Sequence, residues 1–438
     1  MNTAQNADKP QYLPQPRTSA RTEIIAGFVT FMTMAYILFV NPSILGNAPG
    51  ADKGAIIVGT GLVSGIITLI MGLWADYPFA LAPGMGLNAF VTFSVIIGMK
   101  IPFDTAMSLV VIEGIVILLL VVTRLREHIF LSIPMNLKRA IAGGIGLFIA
   151  IIGFENSGIV VADKATLITY AHWDFHSAGP LITLVTVLLI GILMARKVKG
   201  AMLWGILFAT VLSIVTGIQA PPTQVISMPT MPHFTLGGFG SALKVAYIPT
   251  IFALVMSDFF DMMGTIVGLS EQAGYIDAEH PAIPRLNRIL FVDGLAAVVG
   301  GLFGVSSATT FVESASGIGE GGRRGLTSVV VGILFILSIF FAPIIGVVPA
   351  VATAPALIVV GFLMLGQVAN IDWSDVTEAL PAFITLATIP FTYSIGRGIG
   401  YGFISYVIIN LAAGNAKKLN WALAIVAAVF ALFFALGY

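Results

Sequence analysis

The chain has 438 residues, of which 58% are hydrophobic and only 10% charged, with 21 basic residues balanced by 21 acidic ones. A soluble domain carries about 25% charged residues, so this composition and a mean hydropathy of +0.99 exclude a water-soluble globule and specify a polytopic membrane protein. The zero net charge argues against a polyanionic partner such as nucleic acid. The lack of cysteine removes disulfides, thiolate metal sites and cysteine nucleophiles.

Residues 1–22 are polar and proline-containing and lack the basic-then-apolar pattern of a signal peptide. They are expected to form a short cytoplasmic tail. Apolar runs follow at 23–40, 55–74, 78–98, 104–122, 139–155, 179–195 and 200–218. A second set lies at 246–268, 288–304, 306–320, 325–345, 349–368, 380–395 and 398–412. A last run, 420–437, either spans or lies in the interface. A straight helix needs about 20 residues to cross a bilayer. The runs at 78–98 and 306–320 are rich in glycine, and the first contains Pro83. Threaded with the N-terminus inside, the chain places sixteen of its 21 basic residues on the cytoplasmic side, as the positive-inside rule requires. Fourteen spans are therefore expected.

The two halves resemble each other. Residues 61–90 parallel 294–317, each with a Gly-Leu opening, a small-residue helix and a glycine-interrupted polar segment; 180–190 parallel 381–391, and 134–153 parallel 349–366. Seven spans per half is an odd number, so the second copy enters from the opposite face. Such an inverted repeat puts a transporter's binding site near mid-membrane. The expected fold is therefore all-α, with 7+7 spans in inverted repeats. Spans 3 and 10 are broken, each carrying a short extended stretch and a half-helix, and the two stretches are placed to pair across the pseudo-two-fold axis. Non-helical backbone is tolerated at that depth only where protein encloses it or it lines a wet cavity.

Charges inside membrane segments are costly, roughly 2.5–3.5 kcal/mol at the centre on insertion scales, so they mark function. Asp261 lies in YIPTIFALVMSDFFDMMGTIVG and Glu313 in SSATTFVESASGIGEGG. Asp258, Asp261 and Thr265 fall at helical spacings of three and four, on one face. Asp258 reads as lying nearer a wet cavity, where it serves only solvation. Asp293 suits either a structural partner or a proton relay, and Glu113 a hydrogen bond between helices. Asn88 adds an amide in the first broken segment. Phe90 and Phe311 offer faces for stacking.

Other features carry no site. His128, His172, His176, His233 and His280 fall in polar stretches and read as solvated. Gly317–Gly322 matches G-x-G-x-x-G without the surrounding βαβ unit that nucleotide binding needs. Arg323 and Arg324 read as cytoplasmic anchors and helix C-terminal caps. Trp74, Trp173, Trp204, Trp373 and Trp421 sit near span ends. No metalloprotease, P-loop or nucleophile-elbow motif is present, so enzymatic activity is not expected.

RTEIIAGFVTFMTMAYILFVNPSIL, LAPGMGLNAF, FFDMMGT and SSATTFVESASGIGEGGRRG together resemble the AzgA-like purine permeases, a branch of the nucleobase–cation symporters related to uracil and xanthine permeases. The resemblance implies a core domain (23–122 and 246–345) moving as an elevator against a gate domain (123–245 and 346–438). It implies proton-coupled uptake of adenine, hypoxanthine or guanine, a homodimer in the lipid bilayer, and no cofactor or metal beyond the coupling ion. By its motifs, Asp261 and Glu313 hold the base, with Thr265 where uracil and xanthine permeases carry histidine and Asn88 in the span-three motif. Proton coupling falls to Glu313, Asp261 and Asp293. Alternatives are a uracil or xanthine permease, a sulfate- or bicarbonate-type anion transporter of the same architecture, and a channel.

Overall fold

The computed structural model describes residues 18–123, 134–163, 166–170, 178–235, 237–276 and 282–435. Most of the expected N-terminal tail lies outside these residues, as do His128, His172, His176, His280 and Trp173.

The first half begins with α1 (Ala20–Met34) and α2 (Ile37–Leu45), a single membrane-length segment interrupted at Ala35 and Tyr36. Next come α3 (Lys53–Ile70), strand β1 (Leu81–Pro83), α4 (Met85–Ala89) and α5 (Phe103–Val122). Then follow α6 (Met135–Asn156), a hairpin of β2 (Val160–Asp163) with β3 (Leu167–Tyr170), α7 (Ala178–Ala195) and α8 (Ala201–Val215). The second half contains α9 (Ile248–Gln272), α10 (Leu286–Leu302), β4 (Ala308–Thr310), α11 (Ser314–Gly319) and α12 (Gly325–Ser338, continuing helically to Val347). It closes with α13 (Ala350–Leu365), α14 (Val376–Thr392), α15 (Ile395–Ala412) and α16 (Trp421–Ala435). Nine helical segments among the described residues are long and apolar enough to cross a membrane, and four more are apolar but shorter. The protein is a mostly helical, polytopic membrane protein.

Local chemistry sets the boundaries. Asp52 caps α3 by accepting from the backbone N–H of Gly54 and Ala55, and Asp375 caps α14 through Thr377. Prolines stand just before α5, α6 and α13, where a missing N–H costs nothing. The chain widens to π-helix at Met71–Ala75 and Phe90–Gly98, on either side of the first break.

β1 and β4 pair antiparallel, with Leu81 opposite Thr310, Ala82 opposite Thr309 and Pro83 opposite Ala308. The two extended stretches expected from sequence thus meet, one from each half. All six residues are buried, so their backbone groups need protein partners. The Leu81 N–H donates to the Thr68 hydroxyl (2.9 Å), which donates to the Leu81 carbonyl (3.1 Å). Ala80 N–H donates to Ser314 Oγ (3.0 Å), Phe311 N–H to the Ala80 carbonyl (2.9 Å) and Gly84 N–H to the Ser307 carbonyl (2.9 Å).

Two helix groups pack around this centre. In one, α1 and α3 lie on α12, and α5 on α10; in the other, α6 lies on α13 and α14, with α15 on α14 and α7 and α8 on α13. Small residues allow backbones to approach, as is usual between membrane helices. A Cβ on Gly361 of α13 would stand 2.5 Å from the Gly146 carbonyl of α6. Helix α9 touches members of both groups, α5 on one side and α6 and α15 on the other. The last apolar run forms α16, which runs antiparallel to α15: Phe434 meets Tyr401 and Phe430 stacks near Phe403.

Candidate functional site

Because α9 sits at the seam between the two groups, its polar face opens into the space between them. Asp261 and Thr265, one turn apart, both line a cavity of about 480 Å3 with Ser257, a size within the usual range for small-molecule sites. Gly86 and Leu87 of α4, Met364 at the end of α13, Gln367 just after it, and Lys138 and Arg139 of α6 complete the wall. Asp261 is exposed to this space. Its carboxylate is an acceptor with no donor among the described residues, ready to take N–H groups of a ligand.

Glu313 stands at the N-terminus of α11 and lines a neighbouring cavity of about 450 Å3 with Thr33, Ser316, Lys199 and Glu320. Its Oε1 accepts a hydrogen bond from the Tyr36 hydroxyl at 2.5 Å, the residue at the break between α1 and α2. Its helix α11 packs against α9, which carries Asp261. The two carboxylates therefore sit on adjacent helices, and each faces its own cavity. Lys199, in the turn before α8, pairs with Glu320 and ties the two helix groups together beside Glu313.

The remaining expected residues take other positions. Asn88 is fully buried on α4, with neither amide atom paired among the described residues. Phe311 is buried against the strand pair. Phe90 lines a third cavity, with Phe93, Tyr393 and Arg397, and is separated from Asp261. Asp293 is fully buried; its Oδ1 accepts from the Thr310 N–H (2.8 Å) and hydroxyl (2.7 Å), and its Oδ2 from the Thr309 hydroxyl (3.2 Å). It fixes the free edge of β4.

Asp258 corrects the sequence reading. It faces no wet cavity but is fully buried, accepting from Ser307 Oγ at 3.0 Å. Glu113 of α5 is also fully buried, and neither of its carboxyl oxygens has a hydrogen-bond partner among the described residues. The hydrogen bond between helices expected of Glu113 is therefore not found among the described residues.

Tyr36, Ser307 and Gln367 were not singled out in the sequence. Tyr36 had a signal, a polar ring inside the apolar run MAYILFV. Arg323 behaves as the sequence suggested: its Nη1 donates to the carbonyls of Ile318 and Gly322, capping α11.

Broken helices meeting at a buried strand pair, with a carboxylate exposed to a cavity between two helix groups, define a multi-pass membrane transporter rather than an enzyme. The family model described as "Permease family" matches residues 21–401. The chain belongs to this family. It is 41% identical to the adenine permease AdeP of Escherichia coli over 95% of this chain and 93% of that one. It is 39% identical to the guanine/hypoxanthine permease PbuO of Bacillus subtilis, over 93% and 96%. These relatives agree with the AzgA-like resemblance of its motifs. Among solved structures, the transmembrane domain of the cyanobacterial bicarbonate transporter BicA superposes with a TM-score of 0.64 at 14% identity, covering 88% of this chain and 98% of that one. At that identity the likeness concerns the fold alone.

Proposed function

We propose that this protein takes up purine nucleobases (adenine, hypoxanthine or guanine) across the cytoplasmic membrane. The observation that carries the reading is Asp261, exposed with Thr265 in the cavity between the two helix groups, in a chain similar to adenine and guanine/hypoxanthine permeases. A purine is flat, neutral and rimmed with N–H donors, which a carboxylate accepts. An exposed carboxylate in the same place repels sulfate or bicarbonate, so the fold shared with a bicarbonate transporter does not carry its substrate over.

In this reading the membrane crossings number fourteen in 7+7 inverted repeats, with α16 as an appended helix. Residues 23–122 and 246–345, with α1–α5 and α9–α12, form the core, and 123–245 and 346–438, with α6–α8 and α13–α16, the gate, with the core moving as an elevator. The base docks on Asp261, with Thr265 beside it and Glu313, braced by Tyr36, on the neighbouring side. Asn88 lies behind the site on α4, and Phe311 and Phe90 flank the strand pair and the opposite opening. Entry of the base is coupled to a proton held among Glu313, Asp261 and Asp293, and two copies form the working unit.

Uptake of labelled adenine, hypoxanthine, guanine, uracil and sulfate, with and without a protonophore, tests this. Saturable purine uptake abolished by the protonophore is expected. Sulfate or uracil uptake without purine uptake would overturn the substrate class. Purine uptake indifferent to the protonophore would remove the proton coupling alone.

A further inference from the structure

We propose that Gln367 reads the donor–acceptor edge of the bound base from the wall opposite Asp261. The inference deepens the purine reading and rests on it. Gln367 follows α13, in the helix group across the cavity from the polar face of α9. The other long polar side chains of that wall are committed. Arg139 donates through Nη1 to the Asn370 carbonyl and to Asn136, and Lys138 is buried and engaged within the protein. Gln367 is exposed, and its carboxamide makes no hydrogen bond to any described residue. It is the uncommitted planar group in the same cavity as the uncommitted carboxylate.

The two groups offer complementary chemistry. A carboxylate only accepts, whereas a carboxamide presents one donor and one acceptor in the same plane. The imidazole ring of a purine supplies an N–H for Asp261. The pyrimidine edge of adenine places the N6 donor beside the N1 acceptor, and hypoxanthine reverses the order with O6 and N1–H. A carboxamide pairs in plane with either edge by turning over, as Asn and Gln do when they recognise adenine. One site can thus serve both bases, and contact from both walls makes base binding sensitive to how the two groups approach.

Two substitutions test the assignment by uptake. Gln367→Met keeps the length and removes the edge; the KM values for adenine and hypoxanthine should rise about tenfold or more, the usual discrimination of a two-point contact. Gln367→Glu replaces the mixed edge with two acceptors, which fit the adjacent N1–H and N2–H donors of guanine but neither other base. The ratio of guanine to adenine affinity should rise about tenfold. The ratio is taken within one variant, so protein level cancels. KM values unchanged in Gln367→Met together with an unchanged base ratio in Gln367→Glu would overturn the inference. A parent protein that takes up no purine would instead overturn the reading it rests on.

Discussion

Glu23 is a buried carboxylate with no ligand to bind, and its removal tests how the broken segment is anchored. It lies in the first turn of α1 and is 2% exposed. Its Oε1 accepts the backbone N–H groups of Arg323 (2.8 Å) and Arg324 (3.0 Å), and its Oε2 accepts the N–H (3.2 Å) and hydroxyl of Thr327. These N–H groups belong to the start of α12, where helix geometry leaves donors without partners. Asp76 takes a further one, on Gly325. Glu23→Gln keeps one acceptor oxygen and turns an NH2 toward two donors. A hydrogen bond to a charged group contributes about 1.5–3 kcal/mol, so losing two lowers stability by about 3–5 kcal/mol, allowing for their coupling. With an unfolding entropy near 2.1 cal/mol/K per residue, that is a fall of roughly 3–5 °C in Tm. Thermal unfolding of the detergent-purified protein measures it, with Glu271→Gln, at an exposed position, as the control. A Glu23→Gln midpoint equal to that control would refute the anchoring argument.

Further outcomes follow from the same geometry. Asp293→Ala removes the acceptor of the Thr310 N–H and hydroxyl and should lower both Tm and the maximal uptake rate by loosening β4; unchanged values for both would show that the strand holds without it. Tyr36→Phe removes the hydroxyl donor to Glu313 and should raise the KM for purine uptake severalfold while leaving the amount of protein in the membrane unchanged. The chain has no native cysteine, so single cysteines map the last helix directly. Asn415→Cys should react with a membrane-impermeant maleimide only from the cytoplasmic side and Ala435→Cys only from the outside; labelling of both from one side would mean that α16 lies in the interface.

The broken segments were legible because glycine and β-branched residues interrupt apolar runs there, and extended backbone at that depth requires a partner. Pairing of Leu81 with Thr310 met that requirement. Asp261 and Thr265 were legible as a pair because helical spacing alone places them together. Asp258 sits on nearly the same face, but its burial depends on Ser307 arriving from a distant segment, which no local pattern records. The same applies to Asp261 and Glu313. Their motifs suggest one clamp, whereas packing gives each its own cavity. Gln367 was hidden for a different reason: a single polar residue at the end of an apolar run is common, and only its lack of a partner reveals a role. The course of α16 depended on ring contacts with α15 that hydropathy does not encode.

Binding of labelled purine to the purified protein, compared with the Asp261→Asn variant, tests the central claim most directly. The hydrogen bonds of an N–H to a charged acceptor are worth about 1.5–3 kcal/mol, or a factor of roughly ten to a hundred in Kd. The account expects saturable binding of at least one of adenine, hypoxanthine and guanine, weakened at least about tenfold in Asp261→Asn. Equal purine affinity in the two proteins would contradict it.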